Sequence, residues 1–369
     1  MKKMYSLLAL LLIASMLLTA CGGGGDGKSP GFVEGGSEFH TPTEPPTEEP
    51  TEVAAPADAG VSACQVTDVG GIDDKTFNAT AWKGAENAAA ELGVEVKYLE
   101  SQQQTDYQPN INAFIDEGCD LIITVGFLLG VDTEAAAQAN PDQSFAIVDF
   151  AYDPGYDNVL GLVFGTDQAA FLTGYVAAAT SETKVVGTFG GINIPPVTAF
   201  MNGFYYGVQY YNEQMGEDVQ VLGWDPATQD GLFTGNFEST DDGRSFAETL
   251  MDEGADVIMP VAGPVGLGSA AAIQERGGAW IIGVDTDMSV SAPEYADIIL
   301  TSVLKNMDVA VYAAIENMVN GTFAGGLYVG TLENNGVGIA GMDGFSADLQ
   351  AALQAIIDGI IAGDIQTSP

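Results

Sequence analysis

The chain has 369 residues, with 51 Asp and Glu against 10 Lys and Arg, and a formal net charge of −41. So few cations exclude binding to nucleic acid or to an anionic lipid surface, because phosphate contacts require clustered lysine and arginine. The length allows one large hydrophobic core or two ordinary ones.

Residues 1–21 have the pattern of a signal peptide, in which Lys2 and Lys3 precede the apolar run "LLALLLIASMLL". That run is short for a membrane-spanning helix and is followed by small residues. The ending "LTAC" resembles a bacterial lipobox, which implies cleavage before Cys21 and diacylglycerol on its sulfur. We therefore expect a lipid-anchored protein at the cell membrane, facing outside the cytoplasm. The alternative is an ordinary secretory signal with a chance cysteine.

Residues 22–60 contain "GGGGDGKSPG" and "PTEPPTEEPTE". Glycine gives flexibility, and proline with repeated glutamate gives an extended chain with little to bury. This composition predicts a disordered tether. His40, the only histidine of the chain, lies in it, so histidine-based acid–base catalysis and metal binding are excluded from the rest.

From residue 61 the sequence alternates strand and helix patterns. A first series places strands in 61–69, 94–100, 119–127, 144–150 and 158–165, and helices in 81–93, 107–118 and 132–143. A second series places helices in 167–181, 196–216, 244–254 and 268–277, and strands in 184–191, 219–224, 255–263 and 279–287. Apolar strands between helices indicate right-handed βαβ units and parallel sheets covered on both faces.

The two series share a repeated unit. "AFIDEGCDLIITVGF" and "TLMDEGADVIMPVAG" both run from a helix through an acidic residue and glycine to Asp, an apolar strand and a closing glycine. This favours two similar α/β lobes joined by several crossings. We expect residues 61–163 plus about 287–325 in the first lobe, and 164–286 plus about 326–369 in the second.

Cys64 and Cys119 each begin an apolar strand-like run. If these strands are parallel neighbours, the cysteines lie level and within disulfide reach, and an exported protein permits the bond. Each cysteine can equally be a small core residue. Both alternatives stay open at this point.

Glycine, Asp and Phe collect where the predicted strands end, first in "GGIDDKTFNATAWKG" at 70–84. In open parallel sheets, ligands bind outside the carboxyl ends of the strands. Glycine allows the backbone to approach a ligand, Asp accepts hydrogen bonds, and Phe offers a flat face. The strand ends therefore predict one ligand cleft.

Several chemistries lack their motifs. The sequence has no phosphate loop, no dinucleotide spacing in "GPVGLGSA", no Cys/His metal set and no nucleophile elbow, so we expect no cofactor and no metal. The paired carboxylates Asp73/Asp74 and Asp285/Asp287 are typical of a solvated surface in so acidic a chain, and their position at strand ends favours a cleft. The separation that glycosidase chemistry needs is not fixed by the sequence.

A series of motifs follows in order along the chain: "VTDVGGIDDKTFNATAWKG", "GCDLIITVGF", "FAIVDF", "GLVFGTDQAAFLTGYVAA", "GGINIPPVTAFMNGFYYGV", "GADVIMPVAGPVGLGSAAAIQERG", "IIGVDTD" and "LTSVLKNMDVAV". Together they resemble the BMP (basic membrane protein, or PnrA-like) family of ABC-transporter substrate-binding lipoproteins. The resemblance implies a type I periplasmic-binding-protein fold, no enzyme activity, a purine nucleoside ligand, and permease and ATPase partners.

By motif, the resemblance implies a base held between Phe77 and Phe237, with Asp74 and Asn78 at its edge. The physical chemistry agrees, since stacking on an aromatic ring is worth about 1–3 kcal/mol per base. An alternative is that either phenylalanine is a core residue at the sheet edge.

For the sugar, the resemblance implies carboxylates at Asp149 and Asp285 and a lysine at Lys305. Hydrogen bonds from hydroxyls to a buried charge are worth about 1.5–3 kcal/mol. Lys305 can also be read as a surface lysine. Three further residues are expected to line the cleft: Gly126, Phe127 and Gly263.

Two departures from the family pattern leave the base identity open. Residues 238–240 are Glu-Ser-Thr where the family often has Asn-Asp-Pro, and Met288 replaces a usual Gln. Three other functions remain as alternatives: a receptor for a sugar or signal molecule, a carbohydrate hydrolase using Asp285 and Asp149, and an adhesion lipoprotein with an empty cleft.

Overall fold

The computed structural model describes residues 57–368. The helices are α1 (Phe77–Leu92), α2 (Tyr107–Glu117), α3 (Gly130–Ala139), α4 (Thr166–Thr180), α5 (Pro195–Met215), α6 (Thr240–Asp252), α7 (Val265–Arg276), α8 (Met288–Ser291), α9 (Met307–Val319) and α10 (Ala347–Ala362). The strands are β1 (Ser62–Val66), β2 (Glu95–Leu99), β3 (Leu121–Val125), β4 (Ser144–Val148), β5 (Val159–Phe164), β6 (Val185–Gly190), β7 (Gln220–Leu222), β8 (Trp224–Asp225), β9 (Asp230–Gly231), β10 (Val257–Val261), β11 (Trp280–Asp285), β12 (Ile299–Lys305), β13 (Gly326–Gly330) and β14 (Val337–Ile339).

The predicted signal peptide at 1–21 with Cys21, and residues 22–56 of the tether predicted over 22–60, with His40, lie outside the described residues. The last four residues of that predicted tether are described, and Ala59 N donates to Gly93 O at the end of α1 at 3.0 Å. Among the helices of 57–368, none combines the length and the apolar character needed to cross a membrane.

Two six-stranded sheets form the centres of two lobes. The first sheet has the order β13-β5-β4-β3-β1-β2 and is parallel throughout. The second has the order β14-β12-β11-β10-β6-β7, and only its edge strand β14 runs antiparallel. Each central strand is buried, as the unbroken apolar runs at β3 and β10 predict. We call the lobe around the first sheet lobe 1 and the other lobe 2.

The two sheets have the same strand order, so each strand of lobe 1 has a counterpart in lobe 2. The repeated sequence unit forms α2–β3 in lobe 1 and α6–β10 in lobe 2. The aspartate of each unit has the same structural role. Asp120 accepts hydrogen bonds from the backbone N–H and hydroxyl of Ser62, both at 2.7 Å, and Asp256 accepts them from Ser181 Oγ at 2.6 Å and Glu182 N at 2.7 Å. Asp120 therefore fixes the first residue of β1, and Asp256 fixes the turn that leads into β6.

The chain crosses between the lobes after β5, after β12 and after β13. The predicted boundaries at about 287 and 326 are wrong, because β12 continues lobe 2 by pairing in parallel with β11, and β13 returns to lobe 1 by pairing with β5. The crossings lie side by side. Gly165 N donates to Gly330 O at 2.8 Å, and Asn306 N donates to Gly336 O at 3.0 Å.

Helix pairs pack closely through glycine. In the pair α4–α5, a Cβ on Gly174 would lie 2.1 Å from the carbonyl oxygen of Phe204, and one on Gly207 would lie 2.0 Å from that of Phe171. Only a residue without a side chain allows the two backbones to approach this closely. The small residues that interrupt the aromatic run of α5 therefore mark its contact with α4.

Cys64 and Cys119 form a disulfide with a Cα–Cα distance of 6.3 Å, and both residues are buried. The strands β1 and β3 are parallel neighbours, but the cysteines are not level. The register partner of Cys64 is Ile122, three residues beyond Cys119. The bond therefore joins β1 to the turn that precedes β3.

Candidate functional site

A cleft of about 610 Å³, which includes space open to solvent, lies between the carboxyl ends of the two sheets. It is the position that the strand-end rule predicts for a ligand. All ten binding residues expected from the sequence line it: Asp74, Phe77, Asn78, Gly126, Phe127, Asp149, Phe237, Gly263, Asp285 and Lys305.

The structure adds residues to the cleft that the sequence reasoning missed. Asp68 lies two residues after the end of β1 and is buried, so the strand-end rule applied to it as well as to its neighbours. Phe200 also lines the cleft, from α5. Nothing in the local sequence marked Phe200 as a binding residue, because a phenylalanine on the apolar face of a long helix usually belongs to the core.

Asp74 is buried and its carboxylate caps the start of α1. It accepts hydrogen bonds from the backbone N–H groups of Thr76 at 3.0 Å, Asn78 at 2.8 Å and Ala79 at 3.0 Å. Because these donors have no partner within a helix, the carboxylate allows α1 to begin at Phe77, four residues before the predicted start at 81. The helix thereby brings Phe77 and Asn78 to the cleft.

The Asn78 amide joins two carboxylates of the cleft. Its Nδ2 donates to Asp68 Oδ1 at 2.7 Å and to Asp74 Oδ2 at 3.1 Å. Burial raises the pKa of Asp68 to about 6, against the opposing effect of the hydrogen bonds from Asn78 and Gly70. Burial also raises the pKa of Asp74, and the N–H groups at the helix start oppose that rise. This side of lobe 1 presents hydrogen-bond acceptors that are tightly held.

Lys305 and Asp149 form a buried ion pair that joins the lobes. Lys305 is the last residue of β12 in lobe 2, and Asp149 follows β4 in lobe 1. Lys305 Nζ lies 2.6 Å from Asp149 Oδ2, and the two side chains are 2 % and 8 % exposed. The ammonium also lies 4.8 Å from the ring centroid of Phe77 and 5.9 Å from that of Phe200. Charge pairing and cation–π contact together hold this lysine in the cleft.

Asp285, the last residue of β11, is the counterpart of Asp149 in lobe 2. Both have left-handed backbone conformations, with φ of 69°. Within residues 57–368, no side chain donates a hydrogen bond to the Asp285 carboxylate; Lys305 donates to Asp149. Burial raises the pKa of Asp285 to about 7, Lys305 opposes the rise, and the neighbouring carboxylates add to it. This carboxyl is free to meet a polar group of a ligand.

The rings of Phe77 and Phe237 face the cleft from opposite lobes. Both are half-buried: Phe77 packs against the core of lobe 1 and Phe237 against that of lobe 2, and both also line the cleft. Gly126 and Gly263 lie after β3 and β10 in left-handed conformations, with φ of 125° and 56°. A Cβ on Gly126 would lie 3.1 Å from Asp68 Oδ2, so glycine leaves the acid room.

A second ion pair joins the lobes at the cleft rim. Lys75 Nζ of lobe 1 lies 3.2 Å from Glu294 Oε1 of lobe 2, and the side chains are 45 % and 50 % exposed. Gln274 Nε2 donates to the backbone oxygen of Glu294 at 2.7 Å, which fixes the acidic partner. Of the ion pairs in the described part of the chain, this one and Lys305–Asp149 connect the two lobes. We call Lys75–Glu294 the rim pair.

The carboxylates of the cleft do not form a metal site. No group of three or more His, Cys, Asp or Glu in 57–368 has the geometry to hold a metal ion.

The sequence model of the Bmp family, described as ABC transporter substrate-binding protein PnrA-like, matches residues 61–366. The chain belongs to the Bmp family. An uncharacterized lipoprotein of Pyrococcus abyssi is 33% identical over 297 residues, which cover 78% of this chain and 71% of the relative. The ABC transporter nucleoside-binding protein BmpA of Lactococcus lactis is 29% identical over 323 residues, covering 83% and 88%.

A solved structure of an ABC transporter system solute-binding protein from Aeropyrum pernix K1 superposes with a TM-score of 0.75. It shares 32% identity and covers 83% of this chain and 92% of its own. The predicted type I periplasmic-binding-protein fold is confirmed, as is the family. This Bmp-family protein is therefore an ABC-transporter substrate-binding protein and not an enzyme, and the hydrolase alternative is set aside.

Proposed function

We propose that this protein captures a purine nucleoside between its lobes outside the cytoplasm and delivers it to the permease and ATPase subunits of an ABC importer. One observation carries the proposal. Aromatic faces from both lobes and a buried lysine flanked by two carboxylates meet in the same cleft. A nucleoside has the matching parts, an apolar plate joined to a cluster of hydroxyls.

The base would lie between Phe77 and Phe237. Stacking contributes about 1–3 kcal/mol per base and does not depend on which base is present. The edge of the base would face the acceptors of lobe 1, Asp68 and Asp74, together with Asn78. Asp74 already accepts four hydrogen bonds, whereas within residues 57–368 no donor reaches the buried Asn78 Oδ1. A ring that presents an N–H donor would pair this acceptor, and a ligand without one would leave it unpaired.

The sugar would lie at Asp149, Asp285 and Lys305. Ribose hydroxyls donate to carboxylate oxygens and accept from an ammonium, so each group of the set has a partner in the ligand. A hydroxyl bonded to Asp285 would favour its charged form and oppose the effect of burial. A sugar that lacks a hydroxyl should bind much more weakly.

Closure of the lobes follows from the placement of the groups. A ligand held by Phe77 of lobe 1 and by Phe237 and Asp285 of lobe 2 contacts both walls only when the cleft is closed. It therefore shifts the population towards the closed form by its differential affinity. The three adjacent crossings between the lobes provide the hinge.

Two further facts support the proposal. The Lactococcus lactis relative carries the name nucleoside-binding protein. The Pyrococcus abyssi relative is named a lipoprotein, in agreement with a lipid anchor at Cys21 and a tether that holds the binding domain at the membrane.

Titration calorimetry and thermal unfolding with guanosine, inosine, adenosine, ribose and glucose test the proposal. A nucleoside at about 100 times its Kd should stabilise the protein by about 2.7 kcal/mol. F77A and F237A should weaken nucleoside binding, whereas F246A, which removes a half-buried ring packed on Phe189 in lobe 2, should not. Stabilisation by a sugar and by none of the nucleosides would refute the proposal.

A further inference from the structure

The ring of Phe237 rests on Gly191, the residue that follows β6. A Cβ built on Gly191 would lie 2.2 Å from Phe237 Cε1, 2.4 Å from Cδ1 and 2.8 Å from the backbone oxygen of Asn236. Real Cβ atoms essentially never approach other heavy atoms this closely. The ring can occupy its place at the cleft only because residue 191 has no side chain.

The loop that carries Phe237 is fixed to the same end of β6. Gly235 N donates to Gly191 O at 2.8 Å, and Thr234 N donates to Gly190 O at 3.0 Å. Within the loop, Asn236 Oδ1 accepts from Ser239 N at 2.8 Å, and Ser239 in turn caps α6. The backbone around Phe237 is therefore held on both sides, and a side chain at 191 could be accommodated mainly by moving the ring.

We infer that Gly191 is a positioning residue for ligand binding, which sets how far the Phe237 ring extends into the cleft and hence the width of the slot for a flat ring. The inference rests on the proposed function in one respect, that the ring of Phe237 stacks on a nucleoside base. Gly191 does not touch the base itself in this arrangement. It acts through Phe237.

The backbone of Gly191 makes the inference testable. Its φ does not lie in the left-handed region, unlike that of Gly126 or Gly263. An alanine at 191 therefore introduces no backbone strain, and its effect passes through the contact with the ring and the Asn236 oxygen.

The test compares wild type, G191A, F237A and the double variant by calorimetry with guanosine. F237A should bind about 5- to 150-fold more weakly, the factor that corresponds to loss of one stacking contact. G191A should weaken binding in the same direction. In the F237A background its further effect should be much smaller, because the ring is gone and only the contact with the Asn236 oxygen remains. The matched control is G187A in β6, the strand that precedes Gly191, where a Cβ would meet the Leu250 side chain in the core, away from the cleft.

Wild-type affinity in G191A, or an equal loss in the presence and absence of the ring, would overturn the inference. A crystal structure of ligand-free G191A provides a second measurement that does not depend on the ligand. The ring of Phe237 should be displaced, and an unmoved ring would also overturn the inference. Failure of every nucleoside to bind wild type would refute the proposed function instead, and the displaced ring would still decide the role of Gly191.

If G191A unfolds too readily for either measurement, thermal unfolding decides. The double variant G191A/F237A should recover part of the lost stability, because removal of the ring leaves room for the new methyl group. No recovery would count against the inference.

Discussion

Replacement of Asp285 by asparagine removes one buried charge of the cleft and nearly keeps the shape of the side chain. Burial raises the pKa of this carboxyl from 3.8 to about 7. Between these values the folded protein binds more protons than the unfolded chain, so the free energy of unfolding falls as the pH rises. A pKa difference of about three corresponds to about 4 kcal/mol.

We therefore expect ligand-free wild-type protein to lose up to about 4 kcal/mol of stability through this group as the pH rises from about 4 to 7. D285N should lack that loss and should be more stable than wild type at neutral pH. Asp68, with a pKa of about 6, adds a smaller loss of the same sign, which the variant retains. The same variant should bind a nucleoside about 10- to 150-fold more weakly, because one hydrogen bond to a charged group is lost.

Urea unfolding at a series of pH values between about 4.5 and 8 measures the effect. D73N, which changes an exposed carboxylate beside the cleft loop, is the matched control and should follow wild type. If wild type and D285N lose stability in parallel across this range, the reasoning that burial raises the pKa of Asp285 is wrong.

Three further predictions concern contacts between elements. Lys305→Met leaves the carboxylate of Asp149 buried and unpaired, and should lower the free energy of unfolding by about 3–5 kcal/mol in urea unfolding. Lys75→Met or Glu294→Gln breaks the rim pair and should weaken ligand binding about two- to fivefold in calorimetry, mainly at low salt. Replacing Cys64 and Cys119 by alanine opens a disulfide that spans 55 residues and should cost about 4 kcal/mol in the same unfolding assay.

Each of these has its own control. The charge-swapped K75E/E294K should restore affinity, whereas K184M, which breaks an ion pair of similar exposure within lobe 2, should leave it unchanged. Equal loss in K184M and K75M would show that the rim pair does not favour the closed form. A K305M variant as stable as wild type would contradict the buried ion pair. An unchanged unfolding midpoint for the cysteine variants would contradict the disulfide.

The sequence predicted the alternation of strands and helices and the cleft at their carboxyl ends, because both follow from local patterns. Strands such as β3 and β10 are buried on both faces, so their unbroken apolar runs are easily identified in the sequence. The assignment of β12 and β13 to their lobes could not be predicted, since it depends on which distant strand each one pairs with. The sequence lacked any local mark of that choice.

Side-chain roles divided in the same way. Asp68 was missed although the strand-end rule covers it, and Phe200 was missed because a helix residue reaches the cleft only after lobe 2 has packed. The start of α1 at Phe77 depends on three hydrogen bonds to the carboxylate of Asp74, and these cannot be predicted from the spacing of apolar residues in a helix. The pairing of Cys64 with Cys119 likewise depends on a turn that the strand pattern does not contain.

The cleft is built from two copies of one strand order, yet it is not symmetric. Asp149 and Asp285 occupy corresponding positions, but the strand that ends in Lys305 in one lobe ends in Phe164 in the other. A slot with matching walls would accept a ligand either way round. Lys305 is bonded to Asp149 and not to Asp285, so the two ends of the cleft differ in charge, and we expect an unsymmetrical ligand to bind in one orientation.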